Sequence, residues 1–143
     1  MTTTKTVEIE PEKYNQTKEI RIQGATLFGS LSPFDVPREA TATYDQQRKE
    51  FRIKLRYLTP DEPRATVDVA KEIVLLVGKN SGKLYEIVVR GQEPQTIKIQ
   101  LTAKVGELAR ESERTFPQDF VRRLNLETAQ RVLEDKQELY AVG

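Results

Sequence analysis

The chain has 143 residues, 37% hydrophobic and 31% charged, a size and polarity that fit one folded domain around a single core and argue against wholesale disorder. Its 23 basic and 22 acidic side chains leave a formal charge of +1, so the overall balance draws neither nucleic acid nor an anionic membrane, and any electrostatic partner must be met by a local patch. With no Cys and no His, the chain lacks disulfides, thiolate nucleophiles, Cys-ligated metal clusters and the His-based acid–base and metal sites of most enzymes.

No apolar run approaches the roughly 20 residues needed to span a bilayer. The start, Met1-Thr2-Thr3-Thr4-Lys5-Thr6, lacks the apolar centre of a signal peptide, so the expectation is a cytoplasmic protein with no membrane contact. Residues 1–17 read as a polar lead; Val7 and Ile9 alternate briefly, a short edge strand being the less favoured reading, and the pattern stops at Pro11. Asn15-Gln16-Thr17 fits the glycosylation pattern by chance.

From residue 18 to residue 103 the pattern predicts an antiparallel β domain. Lys18 to Leu31 reads as a strand bent or bulged around Gly24 and Gly29. Pro33 and Pro37 then mark a surface connection. Ala40, Ala42 and Tyr44 alternate with Thr41 and Thr43, Asp45 to Arg48 turns the chain, and Phe51 to Leu58 returns as the second arm of a hairpin. After the loop around Pro60 and Pro63, Ala65 to Val69 alternates again. Ile73 to Val77 is continuously apolar, as in a central strand covered on both faces. Asn80-Ser81-Gly82 supplies a turn into Leu84 to Val89, and Thr96 to Ala103 alternates Ile97, Ile99 and Leu101 as a last strand.

Residues 104–143 change to helical spacing. Val105, Leu108 and Ala109 allow a short helix, and Thr115 to Gln118 resembles a helix start. Asn125 is placed to cap a second helix with Leu126, Ala129, Val132, Leu133 and Leu139 on one face, which would dock on the sheet or on a second chain.

Two constellations invite a functional reading. Gly78 to Leu84 looks like a phosphate-binding loop, but three residues separate its glycines where the motif has four. Leu84 stands where a hydroxyl would ligate magnesium, and a strand follows where a helix is needed; the hairpin turn is preferred. Arg52, Lys54 and Arg56 share one face of a strand, and with Arg48 and Lys49 they form the most basic local cluster. The segment from Tyr44 to Gln100 holds 11 basic and 8 acidic residues, a net +3, against −1 for each flank. That face suits nucleic acid or an acidic protein, although the preferred reading is a solvated face paired with Asp68, Glu86 or Glu93. In the helical tail Arg110, Arg114, Arg122, Arg123 and Arg131 are interleaved with carboxylates, as on ordinary exposed helices.

Tyr44-Asp45, Phe51 to Leu55, Thr66 to Val69, Ile73 to Val77 and Gly82 to Ile87 together resemble a family of very short uncharacterised prokaryotic proteins built of a tyrosine-aspartate start and two successive β-hairpins. The resemblance covers about residues 44–89. It implies a β-meander and carries over no site residue.

The fold expected is mainly β within the α+β class: an antiparallel meander, sandwich or partly open barrel of about six or seven strands, with one or two C-terminal helices. The function expected is a non-enzymatic binding or regulatory protein that needs no cofactor or metal and acts on a protein partner or as a homo-oligomer through Leu126, Ala129, Val132, Leu133 and Leu139. The alternatives are a nucleic-acid-associated regulator using Arg48, Lys49, Arg52, Lys54 and Arg56, and a carboxylate enzyme, which requires a pocket with two convergent carboxyl groups.

Overall fold

The computed structural model of the protein describes residues 2–14, 17–22, 24–30, 32–115 and 119–142. Its centre is an antiparallel sheet of six strands built from β1 (Thr2–Glu8), β4 (Glu39–Asp45), β5 (Glu50–Arg56), β6 (Arg64–Asp68), β7 (Ile73–Gly78) and β8 (Leu84–Arg90), in the spatial order β1-β4-β5-β8-β7-β6. The sheet does not close, so β1 and β6 are its edges. A separate two-stranded hairpin, β2 (Thr17–Ile22) with β3 (Ala25–Ser30), reverses at Gly24, whose φ of +80° suits a residue without a side chain. Helices α1 (Pro94–Thr115) and α2 (Phe120–Asp135) follow, then a 3-10 turn at Gln137–Tyr140. Among the described residues no helix is long and apolar enough to cross a membrane.

The strand period decides which face is covered. Ala42 lies opposite Ile53, Ile53 opposite Ile87, Ile87 opposite Leu75, and Leu75 opposite Val67, so one row of apolar side chains runs across five strands. A second row joins Tyr44, Phe51, Val89 and Ile73. Against these rows α1 sets Ile97, Leu101, Val105 and Ala109 at four-residue spacing, and α2 sets Leu126, Ala129, Val132 and Leu133. Tyr140 closes the end of this core, its ring 6.0 Å from that of Phe51. Its hydroxyl donates to the Leu133 carbonyl. The opposite, open face presents Thr41, Thr43, Arg52, Lys54, Arg56, Glu86, Thr66 and Asp68.

Several sequence expectations are corrected. Within the polar lead expected over residues 1–17, residues 2–8 form a strand and residue 14 is anchored: Thr2–Glu8 pairs with β4 along its whole length, and the Tyr14 hydroxyl donates to Asp135 at 2.8 Å, while residues 1, 15 and 16 lie outside the described residues. Val7 is the single buried residue of β1, too little for periodicity to reveal the strand. In place of the bent strand expected over residues 18–31, Thr17–Ile22 and Ala25–Ser30 pair as a hairpin; residues 23 and 31 lie outside the described residues. β7 is not central and covered on both faces; it is next to the β6 edge, with Val74 and Leu76 only half-buried on the open face.

Thr96 to Ala103 is not a strand, and the helical region begins at Pro94, ten residues earlier than residue 104. Ile97 and Leu101 satisfy a period of two as well as a helical turn. Continuation to Val105 and Ala109, Pro94 at the first helical position and 80% exposure of Ile99 belong to the helix alone. Thr115 ends α1 and does not start a helix, while residues 116–118 of that expected start lie outside the described residues. Asn125 is interior to α2, not its cap; its amide donates to the Ser81 carbonyl at 3.0 Å.

Candidate functional site

A bulge shapes the open face. Leu76 opposes Glu86 and Val77 opposes Leu84, so Tyr85 is the extra residue on β8. An inserted residue re-aims its side chain. Here it brings Tyr85 beside the loop at residues 57–63, although strand alternation from Ile87 would send it to the helix side. Its ring meets that of Tyr57 edge-on at 5.2 Å, and the Arg64 guanidinium lies over it at 4.3 Å. Together with Lys54, Arg56, Glu39, Asp61 and Glu86 these residues line a groove of about 470 Å³.

The two tyrosines that line the groove are held protonated. Burial pushes Tyr57 far above its ordinary range, and its hydroxyl donates to the Leu84 carbonyl at 2.9 Å. Burial first, and its hydrogen bond to Glu62 second, push Tyr85 up to about 12. Neither tyrosine is set to act as a base near neutrality.

The basic cluster expected from the sequence is brought together only in part, and it is largely neutralised. Arg52 donates to Glu50 at 2.6 Å and to Glu86 at 3.1 Å, which raises the guanidinium and holds the Glu50 carboxyl below its usual range. Arg56 pairs with Glu39 at 3.4 Å, and Arg48 lies 3.9 Å from Asp45. Arg48 and Lys49 sit in the β4–β5 turn, where Lys49 adopts φ +49° and the Asp45 carboxylate accepts from the Gln47 and Arg48 amides. Lys54 is exposed and makes no ion pair among the described residues. Of the neutralising carboxylates proposed from the sequence, Glu86 is one; Asp68 and Glu93 are not partners of this cluster, and Glu50 and Glu39 take that place.

The C-terminal residues expected at an interface are spent inside the chain. Leu126, Ala129, Val132, Leu133 and Leu139 are all buried in the core against the sheet and α1. They lie on one helical side as the spacing requires, but the sheet is what covers them. Among the described residues no cluster of three or more acidic groups stands close enough to share a metal ion.

The Gly78 to Leu84 segment forms the β7–β8 turn, and its anion is the chain's own. The Glu62 carboxylate accepts from the Asn80 and Ser81 amides at 2.9 Å each, from the Ser81 hydroxyl at 2.7 Å and from Tyr85 at 2.8 Å. Burial works to raise Glu62, but these hydrogen bonds outweigh it and hold the group below its ordinary value. The turn's carbonyls are taken from the other side: Arg122 donates to those of Lys79 and Asn80, and Asn125 to that of Ser81. Next to the turn Lys83 is only 3% exposed, paired with Asp35 at 3.1 Å and with the Thr59 hydroxyl at 3.0 Å. Neither Glu62 nor Lys83 stands out in the sequence, because their partners lie in other loops.

The chain matches no protein family, no curated protein and no solved structure.

Proposed function

We propose that this chain is a non-enzymatic binding protein of the cytoplasm that engages a protein partner through the groove on its open face. The observation that carries the reading is the alternation of charge there: Lys54, Arg56 and Arg64 stand among Glu39, Asp61 and Glu86 in a groove that Tyr57 and Tyr85 also line, with Arg64 over the Tyr85 ring. A phosphate backbone favours a surface of one sign, and these carboxylates would repel it. A protein segment can meet both signs. Tyr and Arg are also the residue types enriched where binding energy concentrates. Lys54, which has no ion pair among the described residues, offers its charge to a carboxylate on the partner.

The catalytic alternative draws little support from the same groove. Its tyrosines are held protonated and its carboxylates Glu39 and Glu86 are engaged by arginines. A photo-crosslinking residue placed at Lys54 in the native host is expected to trap a protein adduct that resists nuclease. The same residue at Arg110, on α1, is the control. A nuclease-sensitive adduct would favour the nucleic-acid reading, and labelling at Lys54 no stronger than at Arg110 would overturn the proposal.

A further inference from the structure

The β6 edge is self-complementary, and we infer that two copies of this chain pair through it, antiparallel about a two-fold axis at Thr66. Among the described strands β6 is hydrogen-bonded to β7 alone. In that ladder residues 63 and 69 are in the hydrogen-bonded positions, since the Lys79 amide donates to the Pro63 carbonyl and the Val69 amide to the Ile73 carbonyl. Antiparallel bonding alternates residue by residue, so the amides and carbonyls of Arg64, Thr66 and Asp68 point the other way, out of the sheet. Among the described residues nothing takes them.

A second β6 brought to this edge with Thr66 opposite Thr66 matches all of those groups. Each of Arg64, Thr66 and Asp68 then donates and accepts one backbone bond across the axis. The same register sets Arg64 of each copy directly opposite the partner's Asp68, so opposite charges meet at both ends. Asp68 is exposed and has no ion pair within its own chain among the described residues. On the helix side Ala65 meets Val67. Both are half-buried in the single chain and border an apolar groove of about 370 Å³ that runs between β6 and Leu108 and Ser112 of α1. Five residues of strand pairing make a short contact, and this groove supplies the apolar area beside it.

The opposite edge lacks these features. β1 places Lys5 on the helix side opposite Ala42, a charge that protects an edge, and the Thr3 hydroxyl is bonded to the Val142 carbonyl at the C-terminal end. Pairing through β6 is therefore isologous and closes at two copies, and does not propagate into a fibre. The inference does not depend on what the open-face groove binds: a dimer without a groove partner, or a groove partner on a monomer, leaves the other proposal standing.

Sedimentation equilibrium and native mass spectrometry of the full chain test it. The native protein is expected to be a dimer. Asp68→Arg and Arg64→Asp each set like charges opposite at both ends and are expected to weaken the dimer by roughly ten-fold or more. An equimolar mixture of the two variants restores opposite charges at both ends and is expected to recover the native affinity as a mixed dimer. Thr66→Pro removes an outward amide that the fold does not use, so it should abolish dimerisation with the circular dichroism unchanged. Arg64 also contacts Asp61 and Tyr85, but Asp68→Arg and Thr66→Pro disturb neither contact. A native chain that stays monomeric at roughly 100 μM, a dimer indifferent to all three variants, or a mixture no tighter than its components would overturn the inference.

Discussion

Replacement of Glu62 by Gln is the sharpest probe of how the β7–β8 turn is held, because it keeps the shape of the side chain and removes only its charge. The carboxylate receives two backbone amides on one oxygen and two hydroxyls on the other. Gln can still accept the amides through its carbonyl, and its amide group can donate to the hydroxyls once these rotate. What is lost is charge assistance, about 1 kcal/mol for each backbone bond after discounting for water at the turn. The total is about 2 kcal/mol, which with a urea slope of about 2 kcal/mol/M moves the unfolding midpoint down by about 1 M.

The pH dependence has a fixed sign. Glu62 is held below its ordinary value of 4.5 in the folded chain, so the unfolded state binds the proton more readily and the stabilisation is fully present above that value. It is lost as pH falls through the folded value. The difference between native protein and Glu62→Gln should therefore be full at pH 7 and shrink below pH 4.5. Urea titrations followed by tyrosine fluorescence at pH 7 and pH 3 measure both. Coincident midpoints at pH 7, or a gap that persists undiminished at pH 3, would mean that the Glu62 charge does not hold the turn.

Other substitutions probe the contacts around this turn and the packing of α1. A Cβ at Gly78 would lie 2.3 Å from a Glu62 oxygen, so Gly78→Ala should destabilise the native chain by about 1–2 kcal/mol and cost much less in a Glu62→Ala background, a coupling that a double-mutant cycle measures. Gly82→Ala should cost about 2 kcal/mol in thermal unfolding, because Gly82 combines a φ of +75° with contact against the backbone and side chain of Arg122. Lys83→Met keeps most of the buried stem and should cost about 1 kcal/mol, against about 3 kcal/mol for Lys83→Ala; equal losses would mean that the Asp35 ion pair, and not packing, dominates. On α1, Ile99→Glu should change stability by less than about 0.5 kcal/mol, whereas Leu101→Ala should cost about 2–5 kcal/mol, a contrast that chemical denaturation reads directly.

The regions the sequence rendered well are those where one periodicity alone fits. Phe51, Ile53 and Leu55 are buried and Lys54 and Arg56 exposed, as alternation requires, and Asn80-Ser81-Gly82 does turn the chain between β7 and β8. The regions it rendered poorly are those where local pattern admits two answers or says almost nothing. Residues 96–103 carry Thr and Ile at strand-like spacing, and the choice of helix comes from core contacts that extend to Ala109. β1 has one buried side chain, so its pairing depends on the free edge that β4 presents. The candidate groove was half legible: Lys54 and Arg56 follow from alternation, whereas Tyr85 depends on a bulge, and Arg64 on the loop that precedes it.

Residue type and spacing within one element suffice for an antiparallel sheet followed by helices, for the parity of β4 and β5, and for the absence of thiol and imidazole chemistry. Tertiary structure alone decided which carboxylates neutralise Arg52 and Arg56, that the apolar side of α2 is spent on the sheet, that Glu62 fills the turn that resembles a phosphate loop, and that β6 is left as an open edge. Each of these depends on residues distant along the chain, and only folding brings their charges, hydrogen-bonding groups and apolar surfaces within reach of one another.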